Sequence, residues 1–228
     1  MNKHPTIIAI DGFSACGKST LAKALSSALH FIYVDSGAMY RAISLFFLRK
    51  NIDPYRHDLV VAALDHDIHI SFEKDQNELK VHLNEEDVSD EIRSLWVSGA
   101  VSPISAIPEV RRKMVKIQQN LGKSRNLVMD GRDIGTVVFP NAALKIFMTA
   151  DLSVRSDRRY QELKGKGVQV SLNEVKNNLE ARDSMDTSRK ESPLKRAEDA
   201  IILDNSHLDQ TGQLKFVLDI LKKRGLET

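Results

Sequence analysis

A glycine-rich loop between an apolar run and a helix-forming run constrains this sequence most strongly. The apolar run covers residues 6–10, the loop residues 12–20, and the helix-forming run residues 21–29. The loop has the spacing G-x-x-x-x-G-K-S, in which glycines let the backbone bend so that several amide N–H groups point at one anion. Strand, loop and helix follow in the order that a phosphate-binding loop requires. The sequence therefore predicts a P-loop that binds a nucleoside triphosphate.

The residues of this loop have distinct predicted tasks. Lys18 is placed to reach the β and γ phosphates, and the hydroxyl of Ser19 is a candidate ligand for Mg²⁺. The helix that follows turns the positive end of its dipole toward the phosphates. The predicted nucleotide-binding residues are Gly12, Phe13, Ser14, Ala15, Cys16, Gly17, Lys18, Ser19 and Thr20.

Bulk properties exclude several classes of protein. A chain of 228 residues, 42% of them hydrophobic, can bury one sizeable core with inserted lobes. The formal net charge of +2 is far below the basic charge that nucleic-acid binders concentrate. The single cysteine, Cys16, cannot form an internal disulfide, and this favours a reducing compartment. No apolar run is long enough for a membrane span and the N-terminus has no apolar signal segment, so we expect a cytoplasmic protein.

Short apolar runs separated by helical patterns predict a parallel sheet with helices on both faces. Several of them end in acidic or small polar residues, notably Asp35, Asp130 and Thr149. Ligands bind outside the carboxyl ends of the strands in such sheets, so these polar residues are candidates for a site. The runs are residues 7–10, 32–34, 127–129, 144–148 and 201–203.

The stretch between the helical patterns at residues 37–49 and 108–121 has a different pattern of apolar and polar side chains. Residues 68–73 and 79–83 alternate between apolar and polar side chains, and a polar turn at residues 74–77 separates them. This alternation predicts a β-hairpin. A hairpin among α/β units indicates an accessory lobe inserted into the main domain.

A charged segment at residues 161–192 is the second strong feature. We expect it to be irregular and to form a mobile cover, entered through the glycines of residues 164–167. Arg182, Asp186 and Arg189 share one face if their segment is helical. They are then either a solvated set of ion pairs or arginines that close over a transferring phosphoryl group. The presence of a P-loop and of the glycine-rich entry in the same chain favours the second interpretation.

The chain resembles the bacterial-type cytidylate kinases, a family of nucleoside-monophosphate kinases. The resemblance runs nearly end to end. Its most specific segments are D-S-G-x-x-Y-R at residues 35–41 and D-G-R-D-x-G-T-x-V-F-P at residues 130–140, beside the loop at residues 11–20 and the cover at residues 182–189. It implies an α/β fold: a three-layer P-loop kinase with a parallel central sheet, an inserted acceptor-binding lobe and a mobile lid. The whole chain, residues 1–228, would be one domain, with the lobe at about residues 36–106 and the lid at about residues 158–192.

The resemblance also implies a reaction and its residues. The γ-phosphoryl group of ATP, bound with Mg²⁺, would pass to CMP or dCMP. Ser36, Ser102 and Asp133 match positions that contact cytosine, and an acidic group suits the amino group that uracil lacks. The implied catalytic residues are Lys18, Arg132, Arg182, Arg189 and Arg159, with Arg158 as an alternative to Arg159 for closing the cover over ATP. The implied acceptor-binding residues are Ser36, Arg41, Ser102, Arg111, Arg132, Asp133 and Asp186, and Ser19 is the metal ligand.

Alternatives remain open at this point. Ser36 could instead cap the helix that follows it, and Asp133 could cap the turn after Gly131. Ser184 and Met185 stand where related chains often carry charge, so the cover has fewer cationic contacts than in some relatives. A switch GTPase or other NTP-binding module is a rival function, disfavoured because no Asn-Lys-x-Asp element is present. A small-metabolite kinase of the shikimate type is another. We expect a monomer that acts on free nucleotides, without nucleic-acid or membrane partners.

Overall fold

The helices and strands of the chain alternate through most of its length. The computed structural model describes residues 5–65, 68–75 and 78–226. The strands are β1 (Ile7–Gly12), β2 (Ile32–Asp35), β3 (Ile70–Asp75), β4 (Glu78–Leu83), β5 (Glu86–Asp87), β6 (Leu127–Gly131), β7 (Leu144–Thr149) and β8 (Ile201–Asp204). The α-helices are α1 (Lys18–Leu29), α2 (Ser36–Arg49), α3 (His57–Leu64), α4 (Leu95–Ser105), α5 (Pro108–Leu121), α6 (Leu152–Gly165), α7 (Leu172–Ser188) and α8 (Gln210–Lys223).

The chain divides into two compact units. The first unit consists of Met1–Tyr33 and Ser124–Thr228, and the second unit is Val34–Lys123. Within the described residues, no helix is both long enough and apolar enough to cross a membrane.

A five-stranded sheet forms the centre of the fold, with strand order β2-β6-β1-β7-β8. The pairings of β1 with β6, of β1 with β7 and of β7 with β8 are parallel. Strand β1 is central and fully buried over Ile8–Ile10, because helices cover both faces of the sheet. The five strands predicted from the apolar runs and the α/β class are therefore confirmed. The carboxyl ends of β1 and β6 bring Gly12 and Gly131 to one edge of the sheet.

The predicted irregular structure at residues 161–192 is wrong, because α6 and α7 occupy most of this segment. Ser171 and Glu174 form a capping box that starts α7, a local signal that outweighs the charge density of the sequence. Val175 and Leu179 are buried on the inner face of α7. The following turns of that face carry Arg182, Asp183 and Asp186, so the face is apolar at its start and charged at its end.

The second unit contains the predicted hairpin. Strands β3 and β4 are antiparallel, with Ile70 opposite Leu83. Ile68, Ile70, Val81 and Leu83 are all buried, as the alternation predicted, and β5 adds a short third strand. Residues 76–77 of the predicted turn lie outside the described part of the chain. Helix α2 is the core element of this unit and contacts α4, α5 and β4.

Candidate active site

The P-loop follows β1 directly and depends on two glycines. Gly12 has φ +151°, and a Cβ there would lie 2.1 Å from the carbonyl oxygen of Met148. Gly17 has φ +94°, and a Cβ would lie 2.7 Å from Nδ2 of Asn205. A side chain at either position would therefore meet both backbone strain and a steric clash. Nδ2 of Asn205 also donates to the carbonyl of Cys16 at 2.7 Å, which fixes the base of the loop.

Lys18 begins α1 and folds back over the loop. Its Nζ donates to the carbonyl oxygen of Phe13 at 2.6 Å, and the side chain is buried. Burial lowers the pKa of Lys18 below its usual range, and the positive charge of Arg132 lowers it further. A buried ammonium group next to several backbone amides creates strong electrostatic attraction for a phosphate chain.

Ser19 meets an acidic residue of a neighbouring strand. Its Oγ donates to Oδ2 of Asp130 at 2.9 Å, and the hydroxyl of Tyr33 donates to the other carboxylate oxygen at 2.8 Å. The described residues hold no group of three or more His, Cys, Asp or Glu side chains placed to bind a metal ion. Magnesium ions at phosphate sites usually have one or two protein oxygen ligands and take the others from phosphates and water. The Ser19–Asp130 pair fits such an ion.

Asp11 lies under the loop, at the end of β1. Its two carboxylate oxygens accept the N–H groups of Ile134 and Gly135 at 2.8 and 2.7 Å. Burial raises the pKa of Asp11 to about 7, and the two N–H groups oppose that rise. Ile134–Val138 is a single π-helical turn, a rare form that is frequent at functional sites. Asp11 thus ties this turn to the P-loop strand, and Asp133 precedes the turn.

Arg132 connects the P-loop to helix α7. Its Nη2 donates to the hydroxyl of Ser14 at 2.9 Å, and its Nε donates to Asp186 at 2.7 Å. Arg189 donates to the second oxygen of Asp186 at 3.0 Å. Two of the arginines predicted from the sequence therefore share one carboxylate beside the P-loop.

The charges of this cluster stabilise one another. Burial by itself raises the pKa of Asp186, but the attraction of Arg132 and then of Arg189 outweighs it, so the pKa lies below its ordinary value. Burial likewise lowers the pKa of Arg132, and Asp186 more than compensates. The carboxylate therefore stays ionised and both guanidinium groups stay charged across the physiological range of pH.

Arg155 and Asp183 also contact the P-loop, and the sequence analysis selected neither. Asp183 accepts the backbone N–H of Ser14 at 3.2 Å and pairs with Nη1 of Arg155 at 2.5 Å. Arg155 lies three residues before Arg158, and no sequence pattern distinguishes it from its neighbours on α6. Asp183 follows Arg182 within the charged segment. Its spacing of four and eight residues from the buried Leu179 and Val175 was the one sequence signal that could have placed it on the inner face of α7.

The remaining cations predicted for the cover lie on α6 and α7. Arg159 pairs with Glu162 of its own helix at 2.7 Å, and Arg158 donates to the carbonyl of Asn205 at 2.9 Å. Arg182 is half-buried on α7, and its charge contributes to lowering the pKa of Asp186. Arg158 is thus linked to the P-loop through Asn205, which itself contacts Cys16. Arg159 instead pairs with an acidic neighbour on its own helix.

The second unit carries Ser36 and Arg41 at the start of α2. Asp35, not Ser36, caps this helix: its Oδ1 accepts the N–H of Ala38 at 2.9 Å, so the alternative role of Ser36 as the cap is wrong. The other oxygen of Asp35 accepts from Arg41 at 2.9 Å. One carboxylate therefore both starts the helix and orients the arginine, and Ser36 is buried in the first turn.

Ser102 and Arg111 lie near each other on α4 and α5. Arg111 is 1% exposed, donates to the carbonyl of Ser105 at 3.0 Å and packs over the ring of Tyr40, 5.2 Å from its centroid. The hydroxyl of Ser105 in turn donates to the carbonyl of Ser102 at 3.1 Å. A buried guanidinium held over an aromatic ring in this way is rigid and keeps its charge.

The matching family model and the sequence relatives indicate one family. Residues 8–223 match the model of the family described as cytidylate kinase. The chain is 49% identical over 217 residues to the cytidylate kinase of Phocaeicola vulgatus, which covers 93% of this chain and 94% of that protein. It is 46% identical over 223 residues to the cytidylate kinase of Cytophaga hutchinsonii, with 97% and 95% covered.

A solved structure of an uncharacterized protein from Eubacterium ventriosum is similar with a TM-score of 0.52 and 12% identity, over 97% of this chain and 99% of that one. At that identity the likeness shows a shared fold alone. The sequence relatives are similar over nearly their whole length, which favours the predicted family over a switch module or a shikimate-type kinase. The chain therefore belongs to the cytidylate kinase family and is a nucleoside-monophosphate kinase with a nucleotide as its phosphoryl donor.

Proposed function

We propose that the protein transfers the γ-phosphoryl group of ATP, bound with Mg²⁺, to CMP and dCMP, forming CDP and dCDP. The observation that carries this proposal is the position of Arg132, which contacts the P-loop at Ser14 and the charged face of α7 at Asp186. A permanently charged guanidinium between a donor-phosphate loop and an acidic helix face is suited to a phosphoryl group in transfer.

The donor is held by the P-loop. Its backbone amides and Lys18 bind the phosphates, and Ser19 with Asp130 would hold Mg²⁺, which would neutralise negative charge on the phosphates. The Ser19–Asp130 contact of 2.9 Å supports this assignment because it brings both oxygens close enough to bind one ion.

The transfer step needs positioning and charge neutralisation more than proton transfer. Arg132, Arg182 and Arg189 spread positive charge over the equatorial oxygens of the phosphoryl group, and Arg159, or Arg158, closes over ATP. No strong general base is required, because an oxygen of the acceptor phosphate is already an anion. Asp186 holds Arg132 and Arg189 and also suits a sugar hydroxyl of the acceptor.

The acceptor is bound by arginines and short polar side chains. Arg41 and Arg111 bind its phosphate in two-point fashion, and their fixed orientations in the second unit support this role. Ser36, Ser102 and Asp133 contact the cytosine. A carboxylate that is built to accept from the cytosine amino group is left unsatisfied by uracil, so UMP is rejected.

Two segments of the single kinase domain serve access to the site. The lobe at about residues 36–106 receives the monophosphate, and the lid at about residues 158–192 closes over the nucleotides and excludes water, which suppresses ATP hydrolysis. The protein works as a cytoplasmic monomer on free nucleotides.

An acceptor panel tests the proposal. Release of ADP from ATP and Mg²⁺ is measured by a coupled assay with CMP, dCMP, UMP, AMP, GMP and shikimate. We expect strong stimulation by CMP and dCMP alone. Equal stimulation by UMP would overturn the role of Asp133, and a response to none of the acceptors would overturn the proposed function.

A further inference from the structure

Arg155 and Asp183 hold the P-loop at the backbone of Ser14. Both polar backbone groups of Ser14 are engaged by this pair: its N–H donates to Oδ1 of Asp183 at 3.2 Å, and its carbonyl accepts from Arg155 at 3.2 Å. Because Arg155 also donates to Oδ2 of Asp183 at 2.5 Å, the three residues form a closed ring of hydrogen bonds. The peptide groups on both sides of Ser14 are therefore fixed in orientation.

Arg155 is itself anchored at two further points. Its Nε donates to the carbonyl of Ala150 at 3.0 Å, and its guanidinium lies 5.3 Å from the centroid of the Phe13 ring. The side chains of Arg155 and Asp183 are only 8% and 13% exposed. A buried ion pair with this many contacts has one arrangement, because any shift leaves a charge desolvated without its partner.

The pair also sets the position of helix α7. Asp183 and Asp186 are one helical turn apart on the same face, and both reach Ser14, Asp183 directly and Asp186 through Arg132. The turn that carries Asp186 therefore cannot slide along the P-loop while Asp183 stays bound. Movement of this end of α7 along the loop therefore requires the contact between Asp183 and the N–H of Ser14 to break.

We propose that Arg155 and Asp183 form a positioning clamp for phosphoryl transfer. The clamp fixes the two peptide groups that flank Ser14 and the register of α7 against the P-loop, so that Arg132, Asp186 and Arg189 meet the transferring group in one geometry. Both members act through other residues and neither has to touch the nucleotides. This inference rests on the proposed function, since it assigns the clamp to the same reaction.

The variant Asp183→Ala tests the clamp because it removes both contacts of the carboxylate. We expect kcat with CMP to fall by about 100-fold, the size of effect that a displacement of about 1 Å has on positioned groups. The dissociation constant for ATP without an acceptor should change little, because Lys18 and Ser19 are untouched. Tighter ATP binding with an unchanged or higher kcat would show instead that Asp183 competes with the phosphates, and would overturn the proposal.

A double variant separates positioning from stability. Removing Asp183 alone leaves Arg155 as a buried charge and lowers stability, whereas replacing such a pair by apolar side chains is often neutral. Arg155→Met with Asp183→Leu should therefore melt near the wild-type temperature yet keep the loss in kcat. If kcat and the melting temperature of the double variant both matched those of the wild type, the pair would have only a structural role and the proposal would be overturned. Asp199→Asn is the matched control, because it removes the carboxylate partner of Lys145 in the same unit, and its kcat should stay unchanged.

Amide hydrogen exchange tests the clamp independently of catalytic activity. The amide of Ser14 and the last turns of α7 should lose protection in Asp183→Ala and keep it in Asp199→Asn. Unchanged protection in Asp183→Ala would defeat the clamp even if CMP stimulates the wild-type chain. Absence of any CMP response by the wild-type chain would defeat the proposed function, whatever the exchange pattern.

Discussion

The two units hold their arginines in different ways. In the first unit, Arg132 pairs with Asp186, which is 54 residues away in the sequence, and Arg155 pairs with Asp183, 28 residues away. In the second unit, Arg41 pairs with Asp35 six residues before it, and Arg111 donates to a backbone carbonyl six residues before it. Arg132 and Arg155 of the first unit are thus fixed by partners distant in the sequence. Arg41 and Arg111 of the second unit hydrogen-bond to groups six residues away, and Arg111 adds one distant contact with the ring of Tyr40.

This difference matters for how each unit responds to change. The local hydrogen bonds of Arg41 and Arg111 form as soon as α2 and the turn before α5 form, so we expect these two arginines to act as independent binding groups. The first unit links its arginines, two carboxylates and the P-loop into one buried network, in which the removal of one member disturbs the others. We therefore expect variants of the first unit to alter kcat, and variants of the second to alter the KM of one substrate.

The largest expected effect is that of Lys18→Ala in the first unit. Loss of the ammonium group removes a preorganised charge from the donor phosphates and should lower kcat by roughly 100- to 1,000-fold. The circular dichroism spectrum should remain that of the wild type. Lys23→Ala is the matched control on the same helix, because Lys23 is exposed and lies over the Tyr33 ring. Near-normal turnover of Lys18→Ala would refute the P-loop assignment.

Arg41→Gln should have the largest effect in the second unit. The loss of one charge-assisted contact to the acceptor phosphate should lower kcat/KM for CMP by roughly 10- to 100-fold and leave the KM for ATP unchanged. Arg49→Gln on the same helix is the control, since Arg49 pairs with Glu86 and Glu91 at the surface and should have no effect. A similar loss in both variants would mean that α2 as a whole was disturbed.

The raised pKa of Asp11, a residue of the first unit, predicts that the free energy of unfolding depends on pH. Because burial raises this pKa from 3.8 to about 7, the folded chain binds a proton more tightly than the unfolded chain. The stabilisation from this group is complete below the unfolded pKa, and it is lost as the pH rises through about 7. Urea unfolding at several pH values should show this decline, and Asp11→Asn should remove it. A carbon-13 titration of the Asp11 carboxyl with a midpoint near 4 would contradict the prediction.

The smallest effect should come from Gly99→Ala in the second unit. A Cβ at Gly99, within α4, meets no atom within 4 Å, so alanine should stabilise the helix by about 0.5–1 kcal/mol. In the first unit the same change at Gly17 should destabilise, because of its positive φ and the contact with Asn205. Thermal unfolding measures the melting temperatures of both variants. A shift of the two melting temperatures in the same direction would contradict the prediction.

Features defined by a few neighbouring residues were predictable from the sequence. The P-loop, the five central strands and the hairpin follow from turn residues and from the period of apolar side chains. The pairing of Ser19 with Asp130 was not predicted, although both residues had been noted, because 111 residues separate them. The helical structure of α7 was not predicted, because the high charge density of this segment is typical of irregular structure. The capping box at Ser171 was the local signal that marked the start of the helix.

The sequence by itself determined the phosphate loop, the five central strands, the hairpin and the family, because each depends on residue types at fixed short spacings. Only the tertiary structure decided which charges meet. Ser14 and Asp183 lie 169 residues apart and join through one hydrogen bond. Such contacts depend on how helices dock on the sheet, and burial then selects the pairs that leave no charge without a partner. Arg155, an unremarked arginine among several in the sequence, therefore became a P-loop residue only in the folded chain.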